Sequence, residues 1–297
     1  MNSDSSVIRP RRSCLYMPGA NSRALDKART LDADMLIFDL EDAVAPDAKE
    51  QAREAVAASI ASGGYGDREL LVRVNPLLSR WFDSDLEVVS SLACDGILLP
   101  KVSKPEDIEQ LCALLERKRT DKAHAFNCWA MIETPLAILN IREIAATARH
   151  TGLKGFVIGT NDLAKELVAR STPDRSAFQT SLSLSVAAAR AFNLSVIDGV
   201  FNDIENPEGL RWECEQGRTL GFDGKSLIHP GQISIANEVF APSIQEVNQA
   251  KSVIEAFAQP ENQDAGVLKV NGKMTERLHL EQAHALVAMH EAILARS

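Results

Sequence analysis

The sequence has 297 residues, of which 45% are hydrophobic and 25% charged, and its formal net charge is −9. This composition excludes a largely disordered chain, and an acidic balance without a long basic run argues against general nucleic-acid binding. No segment approaches the roughly 20 apolar residues of a membrane-spanning helix, and the basic N-terminus is not followed by the apolar stretch of a secretory signal. We expect a globular protein that binds neither nucleic acid nor membranes.

Five cysteines are scattered along the chain without a C-x-x-C pair: Cys14, Cys94, Cys112, Cys128 and Cys214. An odd and dispersed set argues against a disulfide framework and against a zinc ribbon. Such cysteine usage is typical of a reducing cytosol. We therefore expect a cytoplasmic protein in which each cysteine packs as a small core hydrophobe.

Short apolar runs alternate with longer amphipathic segments over the first 240 residues. Runs that are nearly continuous in apolar residues are typical of parallel strands buried on both faces. The predicted strands are Ser13–Met17, Met35–Leu40, Leu70–Val74, Gly96–Leu99, Cys128–Ile132, Gly155–Ile158, Leu194–Ile197 and Lys225–Ile228. Eight strand–helix units with short links predict a closed (β/α)₈ barrel, although an open doubly wound sheet has the same local pattern.

Helix signals occupy the segments between the strands. Ser103-Lys-Pro-Glu106 predicts a capping box at the start of one helix. Thr134-Pro135 and Asn206-Pro207 each predict a capped helix start, and the second of these helices is expected to stop at Gly221. The spacing of these signals agrees with one helix after each strand.

The last residues of the chain exceed what an eight-unit barrel needs. Gln259–Gly266 is polar and contains Pro and Gly, which predicts a linker, and Leu278–Leu294 has the pattern of an amphipathic helix. We expect residues 1–240 to form the catalytic barrel. Residues 241–297 are expected to form a C-terminal extension that serves as a lid or an oligomer arm.

Charged and polar side chains collect where the predicted strands end. Active sites of β/α barrels lie at this face, because the loops after the strands converge there. Burying so many charges is costly unless they pair with one another, with a metal or with a ligand. The residues concerned are Asp39, Glu41, Asp42, Arg73, Lys101, Glu133, Asn161, Asp162, Asp198 and His229.

Each of these residues has a simpler explanation when it is taken singly. Glu133 could cap the following helix, Asp162 could be a turn residue, and Arg73 could neutralise the acidic pair after strand two. Taken together, carboxylates from adjacent strands without a nearby His or Cys suit a hard cation such as Mg²⁺. Lys101 either orients these carboxylates or forms a Schiff base.

Six segments, in order along nearly the whole chain, resemble the citrate lyase β-subunit-like family, whose relatives include the malyl-CoA and citramalyl-CoA lyases. They are Arg12-Ser-Cys-Leu-Tyr-Met-Pro-Gly19, Phe38-Asp-Leu-Glu-Asp-Ala-Val44, Arg73-Val-Asn-Pro76, Glu133-Thr-Pro135, Gly159-Thr-Asn-Asp-Leu163 and Lys225-Ser-Leu-Ile-His-Pro230. Each segment alone is a weak signal, and the six together are quite specific.

The resemblance implies a (β/α)₈ barrel with a C-terminal extension and a homotrimeric or hexameric assembly. It also implies cleavage of a short 3-hydroxyacyl-CoA to an oxo acid and an acyl-CoA, with Mg²⁺ or Mn²⁺ as cofactor. Three alternatives stay open: a citrate lyase β subunit acting on a carrier-protein thioester, a malyl-CoA-type thioesterase, and a non-catalytic binding barrel.

The resemblance also assigns roles to residues at the metal. Glu133 and Asp162 match the Mg²⁺ ligands of the family, and Glu41 and Asp42 match the acidic pair that holds the waters of the metal site.

Four further residues match positions that face the thioester substrate. Arg73 matches the arginine that faces the thioester carbonyl. Arg23 and Lys27 lie where the family offers basic residues to the phosphates of CoA, and His229 belongs to a loop close to the substrate.

The C-terminal extension departs from the family pattern. Stand-alone members carry an aspartate there, in a pattern like G-x-M-I-D, and it acts as acid/base in a neighbouring subunit. This chain reads Gly272-Lys-Met-Thr-Glu276, so the carboxylate of Glu276 is one methylene longer. The resemblance therefore predicts that Glu276 is the acid/base.

Overall fold

The structure is a computed structural model that describes residues 8–118, 126–170, 172–262 and 264–296. The first seven residues of the predicted basic N-terminus and Gln263 of the predicted linker lie outside these ranges. The chain forms two compact units, Arg11–Phe240 and a C-terminal unit of residues 241–296 that also includes residues 8–10, and each is described by itself. In the described ranges, no helix combines the length and the apolarity needed to cross a membrane.

The first unit is a closed barrel of eight parallel strands in sequential order, in which β1 pairs with both β2 and β8. The strands are β1 Ser13–Pro18, β2 Met35–Asp39, β3 Glu69–Arg73, β4 Gly96–Leu99, β5 Asn127–Ile132, β6 Leu153–Ile158, β7 Ser195–Asp198 and β8 Gly224–Leu227. All eight predicted strands are confirmed to within two residues. The pairing of Cys14 with Ser226 closes the sheet, so the open alternative is excluded.

Helices follow the strands and cover the outside of the barrel. They are α1 Ser22–Lys27, α2 Lys49–Ser62, α3 Phe82–Val89, α4 Pro105–Lys118, α5 Pro135–Leu139, α6 Ile141–Ala146, α7 Thr160–Glu166, α8 Gln179–Ala191, α9 Pro207–Leu220 and α10 Ile233–Phe240. Side chains alternate along each strand. In β2, Leu36 and Phe38 join the large outer core, whereas Met35 and Ile37 fill the barrel interior.

The predicted helix starts and stops are confirmed in part. Asn206 caps α9, and Gly221 ends that helix in the left-handed conformation, with φ 101°. At α4 the prediction was wrong in detail, because the carboxylate of Asp107, not that of Glu106, accepts the backbone N–H of Ser103 at 2.8 Å. Thr134 caps α5 by accepting the backbone N–H of Ala137, as expected.

The C-terminal unit consists of two packed helices and a hairpin: α11 Ile244–Ala258, α12 Arg277–Leu294, β9 Val267–Val270 and β10 Lys273–Glu276. Their small shared core includes Val253, Phe257 and Ala283. The predicted amphipathic segment lies in α12, but the antiparallel hairpin was not predicted. Its turn is Asn271-Gly272, with φ 49° and 82°, which is the pair of positive φ values that a two-residue hairpin turn requires.

Candidate functional site

Arg73, the last residue of β3, is held by the last residue of β2. Its Nε and Nη2 donate to Oδ1 and Oδ2 of Asp39 at 2.7 and 2.6 Å, and its guanidinium lies over the ring of Tyr16, 4.7 Å from the centroid. The same carboxylate accepts the backbone N–H groups of Glu41 and Ala43. Asp39 therefore fixes both the direction of the cation and the loop after β2.

The remaining nitrogen of this guanidinium faces more carboxylates. Nη1 of Arg73 lies 3.0 Å from Oε2 of Glu41, 3.6 Å from Oδ2 of Asp42 and 3.7 Å from Sδ of Met131. Burial lowers the pKa of Arg73, but the charge of Asp39 and its hydrogen bonds outweigh that effect and raise the pKa. The side chain is therefore a permanent, fixed cation.

Glu41 is a buried carboxylate with an incomplete set of partners. Although its Oε2 lies near Arg73, the atom is buried and has no hydrogen bond from any described residue. Burial raises the pKa of Glu41 to about 8, against the opposing effect of the Arg73 charge. A buried carboxylate oxygen without a donor is costly, so this position favours a ligand, a water molecule or a cation.

A second acidic pair lies around Lys101. Glu133 directly follows β5 and is buried, and its Oε1 accepts the backbone N–H of Lys101 at 2.7 Å. Nζ of Lys101 lies 3.6 Å from this oxygen and 2.5 Å from Oδ2 of Asp162 in the first turn of α7. Lys101 thus orients the two carboxylates, which is the first of the two roles considered for it.

Two backbone features allow Glu133 to lie there. Lys101 has φ 57°, a left-handed conformation that costs a non-glycine residue of order 1 kcal/mol or more, and it brings the N–H to the carboxylate. A Cβ at Gly159 would lie 2.5 Å from Oε2 of Glu133, so only glycine fits beside it. Burial raises the pKa of Glu133 to about 7, while the charge of Lys101 acts in the opposite direction.

Members of both groups line one pocket of about 320 Å³ where the strands end, although Glu41 and Lys101 do not line it themselves. Its wall includes Tyr16, Asp39, Arg73, Met131, Glu133 and Asp162. A second cavity of about 410 Å³ shares Thr160, Asn161 and Val200 with it. This end of the barrel is where the active sites of β/α barrels lie.

The donor set fits a hard divalent cation. Among residues 8–118, 126–170, 172–262 and 264–296, no three His, Cys, Asp or Glu side chains lie close enough together to hold a metal ion as they stand. Arg73 and Lys101 instead hold the carboxylates as two separate groups. Five carboxylates share the two positive charges of Arg73 and Lys101, and the buried Oε2 of Glu41 accepts no hydrogen bond. An additional cation that prefers oxygen ligands would balance the remaining negative charge. The carboxylates are those of Asp39, Glu41, Asp42, Glu133 and Asp162.

The other residues predicted to face the substrate lie nearby but do not line this pocket. Arg23 and Lys27 are exposed and one turn apart on α1, the helix that follows β1. His229 is also exposed, and its Nδ1 accepts the backbone N–H of Gly231 at 3.1 Å, so it caps the short turn after β8. Its neighbour Ile228 does line the pocket.

Glu276 belongs to the C-terminal unit. It is the last residue of β10 and the residue before α12, and its side chain is exposed. Its backbone N–H donates to Nδ1 of His279 at 2.9 Å. A helix N-terminus favours a carboxylate by itself, so this position agrees with a structural role as well as with the predicted catalytic one.

Asp198, at the end of β7, belongs to a separate buried network. It accepts hydrogen bonds from Nη1 of Arg175 at 2.8 Å and from Nζ of Lys225 at 3.2 Å. Lys225 also donates to Oε1 of Glu213 at 2.7 Å. Burial raises the pKa of Asp198, but Lys225 and Arg175 outweigh this effect and the pKa is lowered. Its charge is therefore satisfied within the fold.

Tyr16 and Met131 line the pocket but were not predicted to lie at the strand ends, and Asp39 was placed there without a role of its own. The sequence did indicate a partner for Arg73, because Asp39 lies at the end of the second apolar run as Arg73 lies at the end of the third. In the structure the two residues pair in register between β2 and β3. Tyr16 and Met131 lie in apolar strands, and no sequence signal separates them from the rest of the core.

The chain is similar to known proteins over most of its length. Residues 12–230 match the model of the HpcH/HpaI aldolase/citrate lyase family. A (3S)-malyl-CoA thioesterase of Cereibacter sphaeroides is 49% identical over 286 residues, which cover 96% of each chain. Citrate lyase subunit beta of Haemophilus influenzae is 35% identical over 276 residues, 92% of this chain and 94% of the relative.

The fold has solved counterparts as well. The crystal structure of the protein CitE from Mycobacterium tuberculosis in complex with magnesium, acetoacetate and coenzyme A matches with a TM-score of 0.76 and 26% identity. The match covers 94% of this chain and 97% of that one. The resemblance seen in the six sequence segments is confirmed, and the chain belongs to the HpcH/HpaI aldolase/citrate lyase family.

Proposed function

We propose that this protein hydrolyses a short 3-hydroxyacyl-CoA such as (3S)-malyl-CoA to the free hydroxy acid and CoA, with Mg²⁺ as cofactor. The observation that carries the proposal is a fixed arginine beside an excess of carboxylates in one pocket at the strand ends. The substrate and the outcome are supported by the 49% identity to a malyl-CoA thioesterase, which spans nearly the full length of both chains.

Carbon–carbon cleavage of the same thioester, the reaction placed first from the sequence, is the second candidate. It is supported by the family and by the 35% identity to a citrate lyase β subunit. Both reactions place negative charge on the thioester oxygen, so the same arginine serves either one. In hydrolysis, water attacks the thioester carbonyl and CoA leaves. In the lyase reaction, a carbon–carbon bond of the acyl group breaks instead, so the products differ.

Arg73 has the properties needed to stabilise that charge. Its orientation is set before substrate arrives, because Asp39 holds two of its nitrogens and Tyr16 lies against its face. A preorganised cation in a partly dry pocket stabilises an oxyanion without the reorganisation that water would need. The nitrogen that remains, Nη1, is the one that would contact the thioester oxygen.

The carboxylates would hold the cofactor. Glu133 and Asp162 would be the direct ligands of Mg²⁺ or Mn²⁺, while Glu41 and Asp42 would position water molecules beside it. When bound, the cation supplies positive charge to the distal carboxylate and the hydroxyl group of the substrate. The Oε2 atom of Glu41, buried without a donor, is suited to accept a hydrogen bond from the water that attacks the thioester.

The rest of the substrate and the proton transfer involve residues outside the pocket. Arg23 and Lys27, exposed and one turn apart on α1, would bind the phosphates of CoA, and His229 would lie near the acyl group. Glu276 of a neighbouring subunit, in a homotrimer or hexamer, would take the proton from water and pass it to the leaving thiolate.

The products formed from (3S)-malyl-CoA test the proposed function. With Mg²⁺, we expect malate and free CoA in equal amounts when the products are followed by mass spectrometry. We expect no turnover once a chelator removes the metal. Glyoxylate and acetyl-CoA would identify the lyase instead. Turnover of a carrier-protein thioester alone would identify a citrate lyase β subunit, and no turnover of any 3-hydroxyacyl thioester would contradict the proposal.

The metal site is tested with Glu133→Gln and Asp162→Asn. Each change removes one charged ligand, so Mg²⁺ binding measured by isothermal titration should fall below detection while circular dichroism stays unchanged. Because the pKa of Glu133 is about 7, the wild-type affinity should weaken about tenfold per pH unit below that value, as protons compete with the metal. Glu143→Gln, on the exposed side of α6, is the control. If both site variants bind Mg²⁺ with wild-type affinity, neither Glu133 nor Asp162 is a metal ligand.

Arg73→Lys should slow the chemical step more than it weakens binding. A fixed planar cation is replaced by a mobile point charge, and the lost interaction belongs mainly to the transition state. We expect kcat to fall roughly a hundred-fold, as on removal of an oxyanion-hole donor, with KM changed only a few-fold. Arg142→Lys, exposed on α6, should behave as wild type. If kcat stays within a few-fold of the wild-type value, the role of Arg73 is structural and it does not stabilise the transition state.

Glu276 is tested by mixing two inactive variants. Glu133→Gln and Glu276→Gln proteins, mixed under subunit exchange, should recover part of the activity, because some sites then combine both wild-type groups. Glu281→Gln, exposed on α12, is the matched control and should be active alone. Full activity of Glu276→Gln alone would exclude a catalytic role, and failure to recover despite proven exchange would place Glu276 in the site of its own subunit.

A further inference from the structure

Two cysteine thiols lie in contact away from the pocket. Sγ of Cys112, on α4, is 3.1 Å from Sγ of Cys128, the second residue of β5, and one thiol donates a hydrogen bond to the other. The structure describes all five cysteines, and none of them forms a disulfide. Cys14, Cys128 and Cys214 are buried in the core as expected, whereas Cys112 and Cys94 are half-buried and pack against its edge.

The pair opens onto a surface cleft of about 610 Å³, whose wall also includes Glu109, Glu116 and His150. The volume is in the range of small-molecule sites. Phe126 and Gly152 on the same wall precede β5 and β6, so the cleft lies at the N-terminal ends of the strands. The candidate active-site pocket lies at the opposite ends of the same strands.

The surroundings shift the pKa values of the two thiols in opposite directions. The hydrogen bond from Cys128 lowers the pKa of Cys112 to about 7, against the effect of burial, and Gly152, Thr151 and His150 lower it further. The same hydrogen bond and burial raise the pKa of Cys128 well above its usual value. His150 itself lies 2.9 Å from Glu109. Cys112 is therefore the accessible nucleophile, and Cys128 is a buried thiol behind it.

We propose that Cys112 and Cys128 form a thiol–disulfide exchange site that reacts with a low-molecular-weight disulfide entering the cleft. The Cys112 thiolate attacks one sulfur of the reagent, forms a mixed disulfide and releases one thiolate. Cys128 then gives its proton to the released thiolate and attacks the Cys112 sulfur, which releases the second thiolate to take up a proton from water. Two protein thiols are oxidised to one disulfide, and the reagent is reduced to two thiols.

The test uses the full-length protein and oxidised glutathione. Wild type should lose the mass of two hydrogens, and peptide mapping without reductant should show a Cys112–Cys128 link. Cys128→Ser should instead retain one glutathionyl group on Cys112, because the second attack is lost. Cys112→Ser should leave Cys128 unmodified. A stable adduct on wild-type Cys112 without the internal link would overturn the proposal.

Cys94 serves as an internal control, since it is also half-buried but its thiol faces the carbonyl oxygen of Gly96. At pH 7, Cys112 should react several-fold faster than Cys94, because the lowered pKa of Cys112 leaves a substantial fraction of it as the reactive thiolate. Its rate should level off above pH about 7. Equal rates at the two cysteines in wild type would overturn the proposal even if the serine variants failed to fold.

Discussion

The ion pair between Arg73 and Asp39 joins the ends of two adjacent strands, and the geometry of the pocket depends on it. Two nitrogens meet two oxygens, and the same carboxylate also fixes the loop that carries Glu41. A buried pair of this kind contributes little net stability, because desolvation offsets much of the attraction. Its effect is directional, since it turns the third nitrogen of Arg73 toward Glu41, Asp42 and Met131.

The acidic half of the site carries energetic costs that a bound cation would offset. Burial raises the pKa values of Glu41 and Glu133 to about 8 and 7, and Lys101 adopts a left-handed conformation beside them. A fold tolerates such costs where binding offsets them. A divalent cation would ionise both carboxylates, so the stability missing from the metal-free site would be regained on binding.

Strand β5 connects two chemically different regions. Glu133 follows its C-terminal end, and Cys128 lies near its N-terminal end. A strand held between β4 and β6 is rigid, so the proposed exchange site and the pocket sit at fixed positions on opposite faces of the barrel. Oxidation at one end would therefore leave the proposed metal ligands in place, and the two proposals can be tested separately.

The sequence by itself determined the strands, the family and the carboxylates at the strand ends, because strands buried on both faces are continuous apolar runs and strand ends are marked by charge. It also held an unused signal, the Asn271-Gly272 turn of the hairpin. Only the tertiary structure decided that Asp39 holds Arg73, that Lys101 joins Glu133 to Asp162, and that Cys112 touches Cys128. These contacts depend on strand register and on the packing of a helix against the barrel. Both are set by the whole core, since they join residues that are far apart in the chain.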